Sequence, residues 1–296
     1  MLTGPLWSQN LKIEAEISML ALGDSYTIGE SVSETERWPM QFVELLEEEG
    51  ITVERLDIIA RTGWTTRNLK DAIQSSYDPS VNYNLVSLLI GVNNQYQRRD
   101  INEYGPQFRE LLEKALSIAG GDTHRVVVLS IPDYAYTPFG NGNSSISNEI
   151  DAYNAINRSI TAEYKIPYVN VTDISRRGLD NPELVADDGL HPSGTQYKAW
   201  VAEIMNIVTF INTGTNQSIY RDSDNLFPNP VGDYLILPEQ YRGLRAAIYD
   251  LHGRKVKAFP TNNASSGVAL EFLASGIYVL LLYDDKKRYA FKFAKK

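Results

Sequence analysis

Cysteine is absent from this sequence of 296 residues. Disulfide bonds, thiolate metal sites and a cysteine nucleophile are therefore excluded. The sequence also lacks an apolar run of the roughly 18 residues that a membrane-spanning helix needs. The longest candidate runs from Ile277 to Tyr283 and is typical of a short strand. We therefore expect no membrane span.

Positive charge is in deficit as well. Lys and Arg number 28 against 37 Asp and Glu, so that the formal net charge is −9. A broad nucleic-acid footprint requires a basic surface, and we therefore expect no nucleic-acid partner. Residues 1–10 carry neither the basic nor the apolar segment of a signal peptide. This indicates either a cytoplasmic protein or one whose leader is missing from this sequence.

The region up to residue 213 alternates short apolar strands with amphipathic helices. Near-continuous apolar strands separated by helices predict a parallel sheet that is covered on both faces. We expect a flavodoxin-like three-layer α/β/α sandwich with a parallel five-stranded sheet, whose ligand site lies beyond the carboxyl ends of the strands. The predicted strands are Ile17–Leu22, Val53–Ala60, Leu85–Gly91, Arg125–Ile131 and Pro167–Val171.

The composition changes after residue 213. Residues 214–223 are rich in Thr, Asn, Ser and Asp, as linkers often are. Residues 224–296 contain short alternating runs separated by turn signals, which predict a small all-β sandwich. We therefore expect a catalytic domain over 1–213, a linker, and a second domain over 224–296. Residues 1–16 give no interpretable pattern. The predicted strands of the second domain are Tyr234–Leu237, Leu244–Tyr249, Val268–Phe272, Ile277–Leu282 and Tyr289–Phe293.

The first predicted strand ends in Gly23-Asp24-Ser25. A serine that follows a glycine at a strand-to-helix turn can direct its hydroxyl and the neighbouring backbone N–H groups into the ligand crevice. The alternative interpretation is a helix N-cap, a position that Ser and Asp both favour. The triplet by itself does not decide between them.

The next two predicted strands are followed by Gly63 and by Asn93. A glycine allows a backbone N–H to approach a ligand without a Cβ in the way, and the Asn93 amide can donate to a developing oxyanion. Plain turn residues are the alternative for both. No third partner accompanies Asp24 and Asp57 as a metal ligand, so we expect no metal and no cofactor.

His191 precedes the last helix of the first region, and Asp188 lies three residues before it. The Asp188 carboxylate is close enough in sequence to orient the imidazole of a base that takes the serine proton. A surface histidine beside solvated acids is the alternative. The other histidines, His124 and His252, occupy positions typical of structural residues. Four separate loops thus carry, in order, the groups that acyl transfer needs, which favours the functional interpretation.

These four blocks resemble the GDSL/SGNH hydrolase family over about residues 15–210. The resemblance implies Ser25 as nucleophile, His191 as base and Asp188 as its orienting acid. It also implies an oxyanion hole formed by the backbone N–H groups of Ser25 and Gly63 and the Asn93 side chain. One position departs from the family, because Asn94 stands where the third block usually has Asp. Because this position has no catalytic role, we expect the departure to affect local hydrogen bonding rather than activity.

The expected function is that of a serine ester hydrolase that acts through an acyl-enzyme on small acyl esters, including acetyl esters of carbohydrates. We expect Trp64, Tyr134 and Tyr136 to contact the substrate, with Trp38 as a further stacking candidate. The alternatives are a lipid-type esterase, an aryl esterase, a thioesterase, an acyltransferase or a non-catalytic carbohydrate-binding module. A non-catalytic binding module does not need Ser25, Asp188 and His191 together, so the presence of all three disfavours that alternative.

Residues 224–296 resemble a type IX secretion sorting domain. The resemblance rests on Asn225–Pro230, Leu251–Arg254, Leu273–Tyr278 and the closing basic segment Lys292–Lys296. It implies a secreted or cell-surface protein that the type IX machinery exports, and hence a leader that this sequence lacks. A small β-sandwich that binds carbohydrate is the alternative.

Overall fold

The computed structural model describes residues 10–211, 219–220, 229–235, 237–241, 243–250, 253–261, 268–284 and 288–296. The chain divides into two compact units, Met1–Ile211 and Asn212–Lys296. Most of the predicted linker 214–223 lies outside the described residues, as do Asn225–Pro228, residues 251–252 and residues 262–267.

The N-terminal unit alternates strands and helices along most of its length. Its strands are β1 (Leu11–Glu14), β2 (Glu16–Gly23), β3 (Thr52–Ala60), β4 (Leu85–Leu89), β5 (Val126–Leu129), β6 (Tyr168–Val169) and β7 (Val208–Ile211). Its helices are α1 (Ser25–Ile28), α2 (Trp38–Glu48), α3 (Thr66–Ser76), α4 (Val92–Tyr96), α5 (Ile101–Ile118), α6 (Ser144–Glu163), α7 (Thr172–Ser175) and α8 (Gly194–Met205).

The main sheet is parallel throughout, in the order β3-β2-β4-β5-β6. Strands β4 and β5 are buried along their whole length, as expected of central strands with helices on both faces. Helix α2 packs against α8, while α5 packs against α3 and α6. The predicted flavodoxin-like α/β fold with five parallel strands is confirmed.

The carboxyl ends of three neighbouring strands lie at one level. Gly23 at the end of β2 pairs with Ala60 of β3 and with Leu89 of β4. The loops that leave these strands therefore begin side by side at the same edge of the sheet. This register brings the Ser25, Gly63 and Asn93 loops to one edge.

A second, two-stranded parallel pair joins β1 to β7. Leu11 and Ile13 are fully buried, whereas Lys12 and Glu14 are partly exposed. This strand was not predicted from the sequence, although the alternation in Leu11–Glu14 is a short strand signal. The pair ties the beginning of the described chain to the segment that follows α8.

The C-terminal unit consists of β-strands and one short 3₁₀ turn, Glu239–Tyr241, in its described residues. Its strands are β8 (Ile219–Tyr220), β9 (Tyr234–Leu235), β10 (Arg245–Asp250), β11 (Lys255–Pro260), β12 (Val268–Ala269), β13 (Gly276–Tyr283) and β14 (Arg288–Lys295). They form a sheet in the order β11-β10-β13-β14-β8 and a separate β12-β9 pair. The pairs are antiparallel except β8 with β14. Strand β11 was not predicted from the sequence, because this edge strand exposes residues 255–258 and has no long apolar run.

Candidate active site

Ser25 begins α1 two residues after the end of β2. The Asp24 carboxylate caps this helix, since its Oδ1 accepts a hydrogen bond of 3.1 Å from the Tyr26 N–H. A Cβ on Gly23 would lie 2.1 Å from Thr27 Oγ1 and 2.7 Å from Leu89 O, so only glycine allows the turn to pack this closely. The capping interpretation therefore holds for Asp24, and the cap does not use the Ser25 hydroxyl.

Asp188 and His191 form a directly bonded pair. Asp188 Oδ2 lies 2.5 Å from His191 Nδ1, and Asp188 Oδ1 accepts the backbone N–H groups of Leu190 and His191, each at 2.9 Å. An Nδ1–H that donates to the carboxylate leaves Nε2 unprotonated, which is the tautomer that a general base requires.

The Asp188 carboxylate is held in its ionised form. Partial burial raises its pKa, but hydrogen bonds from Ser31, His191 and two backbone N–H groups outweigh this effect and leave the pKa well below its ordinary value. This carboxylate can stabilise the imidazolium that forms when His191 takes a proton during the reaction. The pair is thus electrostatically suited to accept a proton at Nε2.

Two contacts dock this pair beside the nucleophile turn. Ser31 Oγ donates to Asp188 Oδ2 at 2.6 Å, and the Tyr26 ring meets the His191 ring edge-on with a centroid distance of 5.9 Å. Among the described residues no hydrogen bond joins Ser25 to His191. Such bonds commonly close only in the substrate complex. Ser31 was not predicted from the sequence, because a lone serine in a loop carries no motif.

Gly63 and Asn93 lie on loops that are bonded to each other. Asn93 Nδ2 donates to Trp64 O at 3.0 Å, and Gln97 Nε2 donates to Gly63 O at 2.8 Å. Gly63 has φ of 85° with open space where a Cβ would point, so glycine serves its backbone conformation rather than close packing. The Asn93 amide carries two N–H donors, and the bond to Trp64 leaves the second for a ligand.

Both polar atoms of the Asn94 side chain, the departure from the family pattern, are hydrogen-bonded. Its Oδ1 accepts the Thr66 N–H at 3.0 Å and its Nδ2 donates to Thr66 Oγ1 at 2.7 Å, while that hydroxyl donates to Gln107 Oε1. An aspartate at this position would not supply the Nδ2 donor. The amide thus ties the Asn93 loop to the start of α3.

Asn93→Ala is expected to lower kcat by about 10²–10³-fold, because it removes one donor from the developing oxyanion. The measurement is the steady-state hydrolysis of an acetyl ester. Asn94→Ala is the matched control, since it removes a neighbouring amide and its tether to Thr66, and we expect its kcat to stay within about tenfold of wild type. Equal losses in the two variants would contradict the role assigned to Asn93.

The aromatic residues expected to contact substrate differ in their surroundings. Trp64 and Tyr136 are half-buried, whereas Tyr134 is 5% exposed and donates its hydroxyl to Gln95 Oε1 at 2.9 Å. Trp38 is fully buried in the core and cannot stack on a substrate. Tyr96, which is 56% exposed, was not predicted from the sequence.

Asp24 is a fully buried carboxyl next to the nucleophile. Among the described residues its Oδ2 has no hydrogen-bond partner. Burial raises the pKa of Asp24 to about 7, against the lowering effect of backbone hydrogen bonds from Tyr26 and Gly91. The folded protein therefore retains a proton here at pH values where the unfolded chain has released it.

Protonated Asp24 makes its full contribution to stability below about pH 4, and this contribution is lost as the pH rises to about 7. An asparagine resembles the protonated acid and does not titrate. When the pH is raised from about 5 to about 8, the free energy of unfolding of wild type should therefore fall by about 3 kcal/mol more than that of Asp24→Asn. Denaturant unfolding at both pH values measures this difference.

Asp122 offers a matched control for that experiment, because its side chain also caps a short helical turn, by accepting the His124 N–H. It is only partly buried. Asp122→Asn, measured at the same two pH values, shows what the exchange of a capping carboxylate for an amide does to stability by itself. An Asp24→Asn variant with an unchanged pH dependence would show that the buried carboxyl does not titrate in this range.

Two further observations concern metal sites and membrane spans. Within the described residues, no three acidic or histidine side chains converge to form a metal-binding group. None of the described helices is long and apolar enough to cross a membrane.

Comparison with family models identifies both parts of the chain. The model described as GDSL-like Lipase/Acylhydrolase family matches residues 21–199, and the model described as Secretion system C-terminal sorting domain matches residues 225–296. Both resemblances expected from the sequence are confirmed. The second match indicates that a secretion system handles the chain. No curated protein matches it.

Solved structures share the fold of the first unit at low sequence identity. Axe2, an acetyl xylan esterase from Geobacillus stearothermophilus, is 19% identical with a TM-score of 0.53, over 67% of this chain and 97% of that one. A lipase/acylhydrolase from Enterococcus faecalis is 21% identical with a TM-score of 0.51, over 64% and 93%. An alpha/beta hydrolase from the metagenome of Lake Arreo, Spain, is 18% identical with a TM-score of 0.51, over 65% and 97%. These likenesses show the fold, and because the first family model spans more than half of the sequence, the chain belongs to the GDSL-like lipase/acylhydrolase family.

Proposed function

We propose that this ester hydrolase uses Ser25 as its nucleophile, His191 as general base and Asp188 as the residue that orients the base. The observation that carries the proposal is the Asp188–His191 pair, docked against the Ser25 turn through Ser31 and Tyr26. The turn that carries Ser25 and the loop that carries both Asp188 and His191 are two separate segments of the chain, and their contacts support the assignment of the hydroxyl, the imidazole and the carboxylate to one site. A protein that only binds its ligand has no need of this set.

The chemistry follows in two steps. Ser25 Oγ attacks the ester carbonyl while His191 Nε2 takes the hydroxyl proton and passes it to the departing alcohol oxygen. Water then attacks the acyl-enzyme with His191 again as base, which releases the carboxylic acid and restores Ser25. The N–H groups of Ser25 and Gly63 and the Asn93 amide stabilise the oxyanion in both steps.

The proposed substrates are small acyl esters, above all acetyl esters of carbohydrates. Two observations support this class. One structural neighbour is an acetyl xylan esterase, and the C-terminal sorting domain indicates an exported enzyme, which meets polymers outside the cell.

We also propose that the catalytic domain comprises residues 1–213, the linker residues 214–223 and the second domain residues 224–296.

We propose that the type IX machinery delivers the protein to the cell surface or medium through residues 224–296. The sorting-domain match supports this proposal. Expression of residues 10–296 behind a secretory leader, compared with residues 10–213 behind the same leader, tests it. Equal amounts of both proteins outside the cell would contradict it.

A chromogenic acetyl ester assayed with wild type and Ser25→Ala tests the proposed function. Hydrolysis by wild type and its near-complete loss in the variant are expected. Equal rates from the two proteins would contradict the proposal, and release of acyl product only when an acceptor alcohol is added would indicate an acyltransferase. Preference for long acyl chains or thioesters would replace the acetyl-ester assignment.

A further inference from the structure

Three aromatic rings form a cluster at the rim of the candidate active site. Tyr96, Tyr134 and Phe139, which we name the aromatic platform, have mutual ring-centroid distances of 6.2–6.3 Å. Tyr96 is 56% exposed and Phe139 is 53% exposed, whereas Tyr134 lies beneath them at 5%. Two large rings thus share one patch of surface instead of entering the core.

The platform is held rigidly from below. The Tyr134 hydroxyl donates to Gln95 Oε1 at 2.9 Å, and Gln95 Nε2 donates to Glu149 Oε2 at 2.7 Å. This chain of hydrogen bonds fixes the buried ring on which the two exposed rings rest. A pre-organised surface costs little side-chain entropy when a ligand binds.

The platform joins the helix that carries Asn93 to the loop that carries Asp188 and His191. Tyr96 ends α4, which also carries Asn93. Phe139 donates its backbone N–H to Gly189 O at 2.9 Å, and Gly189 lies between Asp188 and His191. A substrate whose carbonyl sits among Ser25, His191 and Asn93 therefore has the platform beside the part that projects from the site.

Open aromatic faces select a particular kind of group. They carry partial negative charge, which attracts polarised C–H groups that lie flat against them. A pyranose ring presents such a face and keeps its hydroxyls hydrated at the edge. An acyl chain instead needs an enclosed apolar channel, and a patch with two rings more than half exposed does not provide one.

We propose that the aromatic platform binds a pyranose ring of the alcohol part of the ester and thereby selects acetylated sugars over simple esters. The inference rests on the proposed function, which supplies the reacting acetyl group. It assigns Tyr96 and Phe139 to direct sugar contact and Tyr134 to their support.

The test compares two acetyl esters, an acetylated xylo-oligosaccharide and ethyl acetate, by following acid release. In Tyr96→Ala and in Phe139→Ala, the ratio of kcat/KM for the sugar ester to that for ethyl acetate should fall about tenfold, through KM. Tyr96→Phe and Phe139→Tyr retain a ring and should restore the ratio. Phe210→Ala, which removes an exposed ring from β7, should leave it unchanged. An unchanged ratio in both alanine variants would overturn the assignment.

Two further arms separate the possible failures. If the alanine variants lose phenyl acetate as strongly as the sugar ester, the platform is a general aromatic-binding surface and the sugar assignment is overturned. Calorimetry with a deacetylated xylo-oligosaccharide measures sugar binding without turnover. If wild type binds this sugar and Tyr96→Ala binds it more weakly, the result supports the proposal even when no ester is hydrolysed. If wild type does not bind the sugar, the proposal is overturned. Failure of the proposed function alone would appear as equal rates from wild type and Ser25→Ala.

Discussion

His191→Ala is expected to lower kcat for ester hydrolysis about 10⁶-fold, as much as Ser25→Ala, and the double variant should lose little more. The reason is that nucleophile and base act as one unit. A serine hydroxyl without a base is a weak nucleophile, and a base without the hydroxyl has nothing to activate. The measurement is kcat for one acetyl ester in both single variants and in the double variant.

His124 provides the matched control for that experiment. Its Nδ1 lies 2.9 Å from the backbone carbonyl of Asn10. His124 lies just before β5 and thus at the amino ends of the strands, whereas the candidate site lies at their carboxyl ends. His124→Ala should therefore leave kcat close to that of wild type. Multiplicative losses in the double variant would show that Ser25 and His191 act independently, and a comparable loss in His124→Ala would remove the case for His191.

Asp188→Asn is expected to lower kcat by about 10⁴-fold. An asparagine Nδ2–H facing His191 favours the tautomer whose proton is on Nε2, and this tautomer cannot accept the Ser25 proton. Two backbone N–H groups still donate to the Oδ1 that the asparagine keeps, and the Ser31 hydroxyl can turn to accept a hydrogen bond from Nδ2, so the loss should come from the wrong tautomer rather than from a displaced loop. Single-turnover and steady-state hydrolysis of an acetyl ester measure it.

Asp187→Asn makes the same chemical change one residue away. Asp187 is exposed, and its charge is screened by solvent, so we expect its substitution to change kcat by less than about twofold. Similar losses from Asp187→Asn and Asp188→Asn would indicate that the charge of the whole loop matters. The specific pairing of Asp188 with His191 would then have no support.

The parallel sheet was predictable because its central strands are short apolar runs that need cover on both faces. The β1–β7 pair was not, since Leu11–Glu14 is only four residues long and its partner lies almost two hundred residues away in sequence. Edge strand β11 was missed because most of its side chains face solvent. Burial by tertiary partners decides such elements, and a local pattern does not contain those partners.

The residues of the candidate site divide in the same way. Ser25, Gly63, Asn93 and the Asp188–His191 pair occur in motifs, so they could be proposed from the sequence, and the strand register brings the first three loops to one edge of the sheet. Ser31, Gln97 and Tyr96 are single residues of common types in loops or short helices. The contacts of Ser31 with Asp188, of Gln97 with Gly63 and of Tyr96 with Phe139 exist only once distant loops meet.

Covalent capture of the nucleophile tests the central claim most directly. An alkyl fluorophosphonate is attacked only by an activated hydroxyl, and peptide mapping by mass spectrometry then locates the adduct. We expect wild type to carry one adduct, on Ser25, and His191→Ala to carry none on the same timescale. An adduct on any other residue, or equal labelling of Ser25 with and without His191, would contradict the assignment of Ser25 and His191 as nucleophile and base.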